Sequence, residues 1–223
     1  MGARKLIAIA TSTDTITRRI EIAPDTVTQF SFLQDFVLDQ KRNRIIIADM
    51  TQGDLKSAPE PAFVVVDLES GAATRIAQSH PSMMPDSEGG FALNPITISS
   101  DYEYIYYGAL NGSTMYRVPA ASFDGDASGV VDSIEEFSSK SFNDGQTIDD
   151  EGIIYVADVQ QNAYGVIDPE GEFRLIAKLP AEQSWTDGIT VGADGYLYSS
   201  ANQLDRTAAL SGEETGTGEY LIV

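Results

Sequence analysis

Apolar and polar positions alternate in short runs along the 223 residues, and helical spacing is nearly missing. Period-2 runs rich in β-branched and aromatic residues predict strands. They fall at 6–10, 16–22, 44–49, 63–67, 73–77, 104–107, 115–118, 153–157, 164–167 and 173–177. Turn signals divide them at 12–15, 69–71, Asn111-Gly112, 168–171 and Asp194-Gly195. Asn and Asp bond their own backbone there, and Gly admits positive φ.

Four segments stack into a repeat: QDFVLD at 34–39, LNPITI at 93–98, NDGQTI at 143–148 and TDGITV at 186–191. Each is followed by a turn and an apolar strand. The anchors Asp35, Asn94, Asp144 and Asp187 stand 59, 50 and 43 residues apart. Repeats of about 40–50 residues with four short strands each mark propeller blades. One blade cannot bury both faces, so blades stack around an axis. The expected fold is all-β: a single β-propeller domain over 1–223 with about four blade-like, four-stranded repeats. Three blades are predicted at 31–78, 94–138 and 144–178, and the inner strands of a fourth at 188–201. The hairpin at 5–22 could supply its outer strands and close a ring of four; otherwise the chain is part of a larger propeller. Segments 51–61 and 79–93 are predicted as insertion loops, and 207–219 as a polar tail loop.

Charge narrows the partners. A net charge of −20 argues against nucleic acid and anionic membrane. No apolar run approaches the ~20 residues of a membrane span. The opening at 1–11 has a basic start and a short apolar run, but it alternates like a strand and is read as structure. Absence of Cys removes disulfides, thiolate metal sites and a Cys nucleophile. The one His, His80, lies in a Met/Pro/Gly-rich loop with no G-x-S-x-G elbow, so a Ser-His-Asp triad is not expected.

Two constellations carry chemistry. Inner strands border a propeller's channel, so Asp35, Asn94, Asn143, Asp144 and Asp187 are expected to converge at one mouth. Such an oxygen-rich cluster suits a hard cation or an amine; the same residue types also cap turns. Separately, DGDASGVVDSIE at 124–135 fits a twelve-residue Ca²⁺ loop. Its ligands would be Asp124, Asp126, Ser128, Val130, Asp132 and Glu135. No amphipathic helix precedes it.

Several runs resemble the major royal jelly protein/yellow family, in its bacterial-type branch. They are FLQDFVLD at 32–39, AFVVVDLESG at 62–71, YYGALNGSTMYRVP at 106–119, ADVQQNAYGV at 157–166, WTDG at 185–188 and YLYSSANQL at 196–204. The resemblance implies a six-bladed propeller of which this chain matches the later two-thirds, lacking the N-terminal blades. It also implies an extracellular or periplasmic setting. Family members bind biogenic amines or are linked to dopachrome conversion, which places Trp185, Thr186, Asn202 and Leu204 near an amine pocket. Gluconolactonase-type propellers, similar in look, place metal ligands where Asn94, Asp144 and Asp187 fall. The expected function is binding of a small amine- or aromatic-like ligand at the channel mouth, with Ca²⁺ as the candidate cofactor. The alternative is a metal-dependent lactonase-like hydrolase or a dopachrome-type isomerase. Open blade edges would offer a route to oligomers.

Overall fold

The structure, a computed structural model, describes residues 4–218 and 220–223. The first three residues of the 1–11 opening thus lie outside the described residues. A hairpin of β1 (Lys5–Ala10) and β2 (Thr15–Glu21) comes first. The first blade contains β3 (Leu33–Asp39), β4 (Arg44–Asp49), β5 (Ala62–Asp67) and β6 (Ala73–Ile76). The second contains β7 (Leu93–Ile98), β8 (Tyr104–Ala109), β9 (Thr114–Pro119) and β10 (Glu135–Ser139). The third contains β11 (Asn143–Ile148), β12 (Ile154–Asp158), β13 (Ala163–Ile167) and β14 (Phe173–Lys178). The fourth has three strands: β15 (Thr186–Val191), β16 (Leu197–Ala201) and β17 (Leu221–Ile222). Every sheet is an antiparallel meander, and the architecture is the expected four-blade propeller arrangement.

The inner strands pack side by side in chain order, β3 on β7, β7 on β11 and β11 on β15. Between blades lie the cores. Phe63, Tyr107, Ile46 and Leu93 are buried between blades one and two, with the Phe63 and Tyr107 rings edge-on at 4.9 Å. Tyr106, Met115, Ile154 and Ile167 fill the space between blades two and three. Blades covered on both faces need apolar side chains at consecutive positions, which is why β4 (RIIIAD) and β5 (AFVVVD) lose the alternation seen elsewhere.

The N-terminal hairpin does not close the fourth blade. Ile20 and Ile22 pack on Ile47, Val64 and Val66 of blade one, and Arg18 donates to the Glu69 carbonyl. The third strand of blade four is instead β17, from beyond the tail loop. That loop also holds a short helix, α2 (Ala208–Ser211), which its polarity did not predict.

A second helix, α1 (Ala127–Asp132), lies within the segment predicted as a Ca²⁺ loop. Asp126 caps α1 by accepting from Gly129 N at 3.0 Å, and Ser128 donates to the same carboxylate. Asp124 is paired with Arg44 at 2.8 Å and Arg42 at 3.3 Å, and Glu135 lies in β10 paired with Arg117 at 2.6 Å. The Val130 carbonyl accepts from Ser133 N, and Asp132 ends the helix, exposed. The segment thus caps a helix and ties strands through ion pairs.

Candidate functional site at the channel mouth

All four inner strands break register at the anchors. The breaks fall between Leu33 and Asp35, Leu93 and Ile96, Asn143 and Gln146, and Thr186 and Ile189. A bulge re-aims side chains locally, so the repeat places one re-aimed polar residue per blade at the same end of the channel. The residue types permit it. Pro95 has no N–H to lose from the ladder. Gly145 is obligatory, since a Cβ there would meet the Asp187 carbonyl oxygen at 1.6 Å.

Asp144 stands at the centre and is 2% exposed. Asn94 Nδ2 donates to its Oδ1 at 2.7 Å, and Trp185 Nε1 donates to its Oδ2 at 2.6 Å. Trp185 reaches it from a backbone φ of +53°, a conformation a bulky residue adopts only under constraint. Burial first, then the charges of Asp187 and Asp35, push the Asp144 carboxyl up to about 7, against the two hydrogen bonds that lower it. Burial likewise raises Asp35 to about 6 and raises Asp187. Asn202 Nδ2 donates to Asp187 Oδ2 at 3.3 Å, and its own Oδ1 accepts from Leu204 N. Among the described residues no cation is among the charges acting on Asp144.

Two cavities meet at Asn94 and Asp144. The lower, of 190 Å³, is polar, with Asp35, Asp144, Gln146 and Asp187 in its wall. Gln146 is buried, and its Oε1 lacks a hydrogen-bond partner. The upper, of 180 Å³, is walled by Phe32, Met50, Phe91, Leu110, Trp185 and Leu204. Asp144 and Asn94 thus form a polar floor under an apolar chamber.

Six of the nine ligand residues expected from sequence line these cavities, namely Asp35, Asn94, Asp144, Trp185, Asp187 and Leu204, and Asn202 joins them through its bond to the Asp187 carboxylate. Two point elsewhere. Asn143 is fully buried and folds back to donate to the Gly145 carbonyl, and Thr186 is fully buried outside both cavity walls. Sequence reasoning missed the apolar walls and the two glutamines, Gln34 and Gln146. The available signal was the set of large apolar residues placed in polar loops: Phe32, Leu55 and Phe91.

The donor set suits a hard cation by chemistry but not by placement. Among the described residues no three His, Asp or Glu side chains gather closely enough to hold a metal ion. Asn94 turns its amide nitrogen, not its oxygen, toward Asp144, so it offers no ligand atom there.

Such sheets define a β-propeller, with two cavities at the inner-strand ends. The sequence profile of the major royal jelly protein family matches residues 1–211, and the chain belongs to that family. No curated protein matches it. Among solved structures it is similar to regucalcin, a calcium-binding protein from Agrobacterium tumefaciens, at 20% identity and TM-score 0.61, covering 97% of this chain and 68% of that one. A luciferin-regenerating enzyme matches at 16% identity and TM-score 0.62, covering 89% and 64%. A gluconolactonase from Xanthomonas campestris matches at 15% and 0.57, covering 81% and 61%. The chain therefore spans 61–68% of the length of these propellers.

Proposed function

We propose that the protein binds a small arylalkylamine, with the ring in the apolar chamber and the ammonium on Asp144. The observation that carries this reading is the buried carboxylate at the floor of an apolar cavity, flanked by two further carboxylates and without a cation partner. A protonated amine would supply the missing charge, and Phe32, Phe91 and Trp185 offer faces for its ring. Fields from a net charge of −20 would also favour a cation over an anion.

The competing reading is a metal-dependent lactonase-like hydrolase. The polar lower cavity and the unpaired Gln146 Oε1 speak for it, as does the likeness to a gluconolactonase fold. Against it stand the separation of the carboxylates and the orientation of Asn94.

Trp185 is the one Trp of the chain, so its fluorescence reports the chamber directly. Titration with 2-phenylethylamine should saturate that signal, while 2-phenylethanol, which has the ring but no charge, should bind at least about tenfold more weakly. Equal affinities for amine and alcohol would sink the reading.

A further inference from the structure

The upper chamber is not closed on all sides. Leu55 forms part of its wall and also part of the wall of a second cavity, of 540 Å³, between loops 51–61 and 79–93. We propose that this cleft is an extension subsite of the amine pocket. Leu55 is the partition, and the cleft takes the neutral, hydrogen-bonding tail of an elongated arylalkylamine. The inference rests on the amine reading above and adds the ligand's length and far-end chemistry.

Leu55 is an odd residue for its place. Its φ is +58°, a left-handed conformation that costs free energy for any residue with a Cβ. The side chain is 38% exposed, so core burial does not offset that cost. The surrounding bonds nevertheless fix it. Leu55 N donates to the Gln52 carbonyl at 2.8 Å. On its other side Asp54 accepts from Lys56 N at 3.1 Å, Ser57 N at 2.9 Å and Ser57 Oγ at 2.7 Å. The loop is also tied across the cleft. Gln52, 3% exposed, donates to the Gly90 carbonyl at 3.0 Å and accepts from Ala92 N at 2.9 Å. A strained, half-exposed leucine held from both sides between two cavities is a built divider.

The cleft's chemistry sets the tail. Its wall carries Lys56 together with Asp86 and Glu88, and Met84, Pro85 and Ser87 also line it. One cation against two carboxylates disfavours an anionic tail, and the whole molecule's charge does the same. The wall offers both signs, one ammonium and two carboxylates, which a neutral donor–acceptor group can bond together and a single charge cannot. Amide or hydroxyl groups can bond to either sign.

Calorimetry on the whole chain tests this with two probes: 2-phenylethylamine, and the same amine carrying an acetamidoethyl group para to the ethylamine. Leu55→Ala is expected to weaken the short amine about threefold by loss of packing and to tighten the extended one at least about tenfold. Adding Ser87→Trp to that variant, to fill the cleft, should cancel the gain for the extended amine. Thermal melts check that each variant is folded. If Leu55→Ala shifts both amines by the same factor, or Ser87→Trp leaves the gain intact, the subsite is overturned while the amine pocket stands. Binding of 2-phenylethanol as tightly as 2-phenylethylamine by the wild type would overturn the underlying reading. Absence of binding by any probe would overturn both.

Discussion

A carboxyl group kept out of water without a countercharge leaves a thermodynamic mark. Asp144 sits near 7 and Asp35 near 6 in the folded chain, against an ordinary value of 3.8. Between pH 4 and pH 7 the native state therefore holds more protons than the unfolded state, and stability falls as pH rises through that window. The penalty is fully present above about pH 7 and relieved below the unfolded value. Asp144→Asn cannot ionise. It keeps an acceptor for Asn94 and loses the one for Trp185. The variant's melting temperature is expected to exceed that of wild type by a few degrees at pH 8, with the difference shrinking or reversing at pH 5. A difference independent of pH would show that Asp144 is not a buried ionisable group in solution. The anchors were legible at this scale, because four repeats aligned them. Which neighbour of an anchor faces the cavity was not. A bulge resets the two-residue parity of a strand, so Asn143 and Thr186, adjacent to the cavity-lining Asp144 and Trp185, turned the other way.

Elements hold the site through close backbone approach and buried ion pairs. Gly145 on β11 lets β15 come near enough to bring Asp187 to the cluster. Gly145→Ala is expected to cost about 3 kcal/mol or more by forcing the two strands apart. Chemical denaturation measures this, and a loss below ~1 kcal/mol would mean the strands can separate cheaply. Asp49, fully buried at the end of β4, accepts from Phe32 N, Thr51 N and Ser31 Oγ and pairs with Arg75 at 2.5 Å. It therefore anchors both the Phe32 wall and the base of the loop carrying Leu55. Asp49→Ala leaves the half-buried Arg75 without its carboxylate and three donors without their acceptor, and is expected to cost about 3 kcal/mol. A near-neutral result in the same denaturation assay would show that this network does not brace the mouth.

Element existence was readable from strand periodicity, and all three complete blades appear close to where the turns placed them. What spacing left out has physical causes. The twelve-residue acidic motif fits the donor positions of a Ca²⁺ loop. Asp126 found a helix N-terminus and Asp124 two arginines at the start of β4 and just before it, contacts that spacing alone does not encode. The third strand of blade four is two residues long, too short to carry a period.

At the scale of the whole molecule, 34 acidic residues against 14 basic ones surround a mouth that is itself carboxylate-lined. Self-repulsion in such a chain is screened by salt, so thermal stability of the free protein is expected to rise from low to moderate NaCl. Amine binding should weaken over the same range, because the steering field and the contact are both screened. Stability that falls with added salt would contradict this account of the charge.

The most direct test of the central claim is calorimetric titration of 2-phenylethylamine into wild type and Asp144→Asn at pH 8, where the carboxylate is ionised and the amine protonated. The account predicts saturable binding to wild type and a loss of at least about tenfold in the variant, which keeps the shape of the chamber but not its charge. Equal affinity of the two proteins would contradict it, because the ammonium would then be held somewhere other than on Asp144.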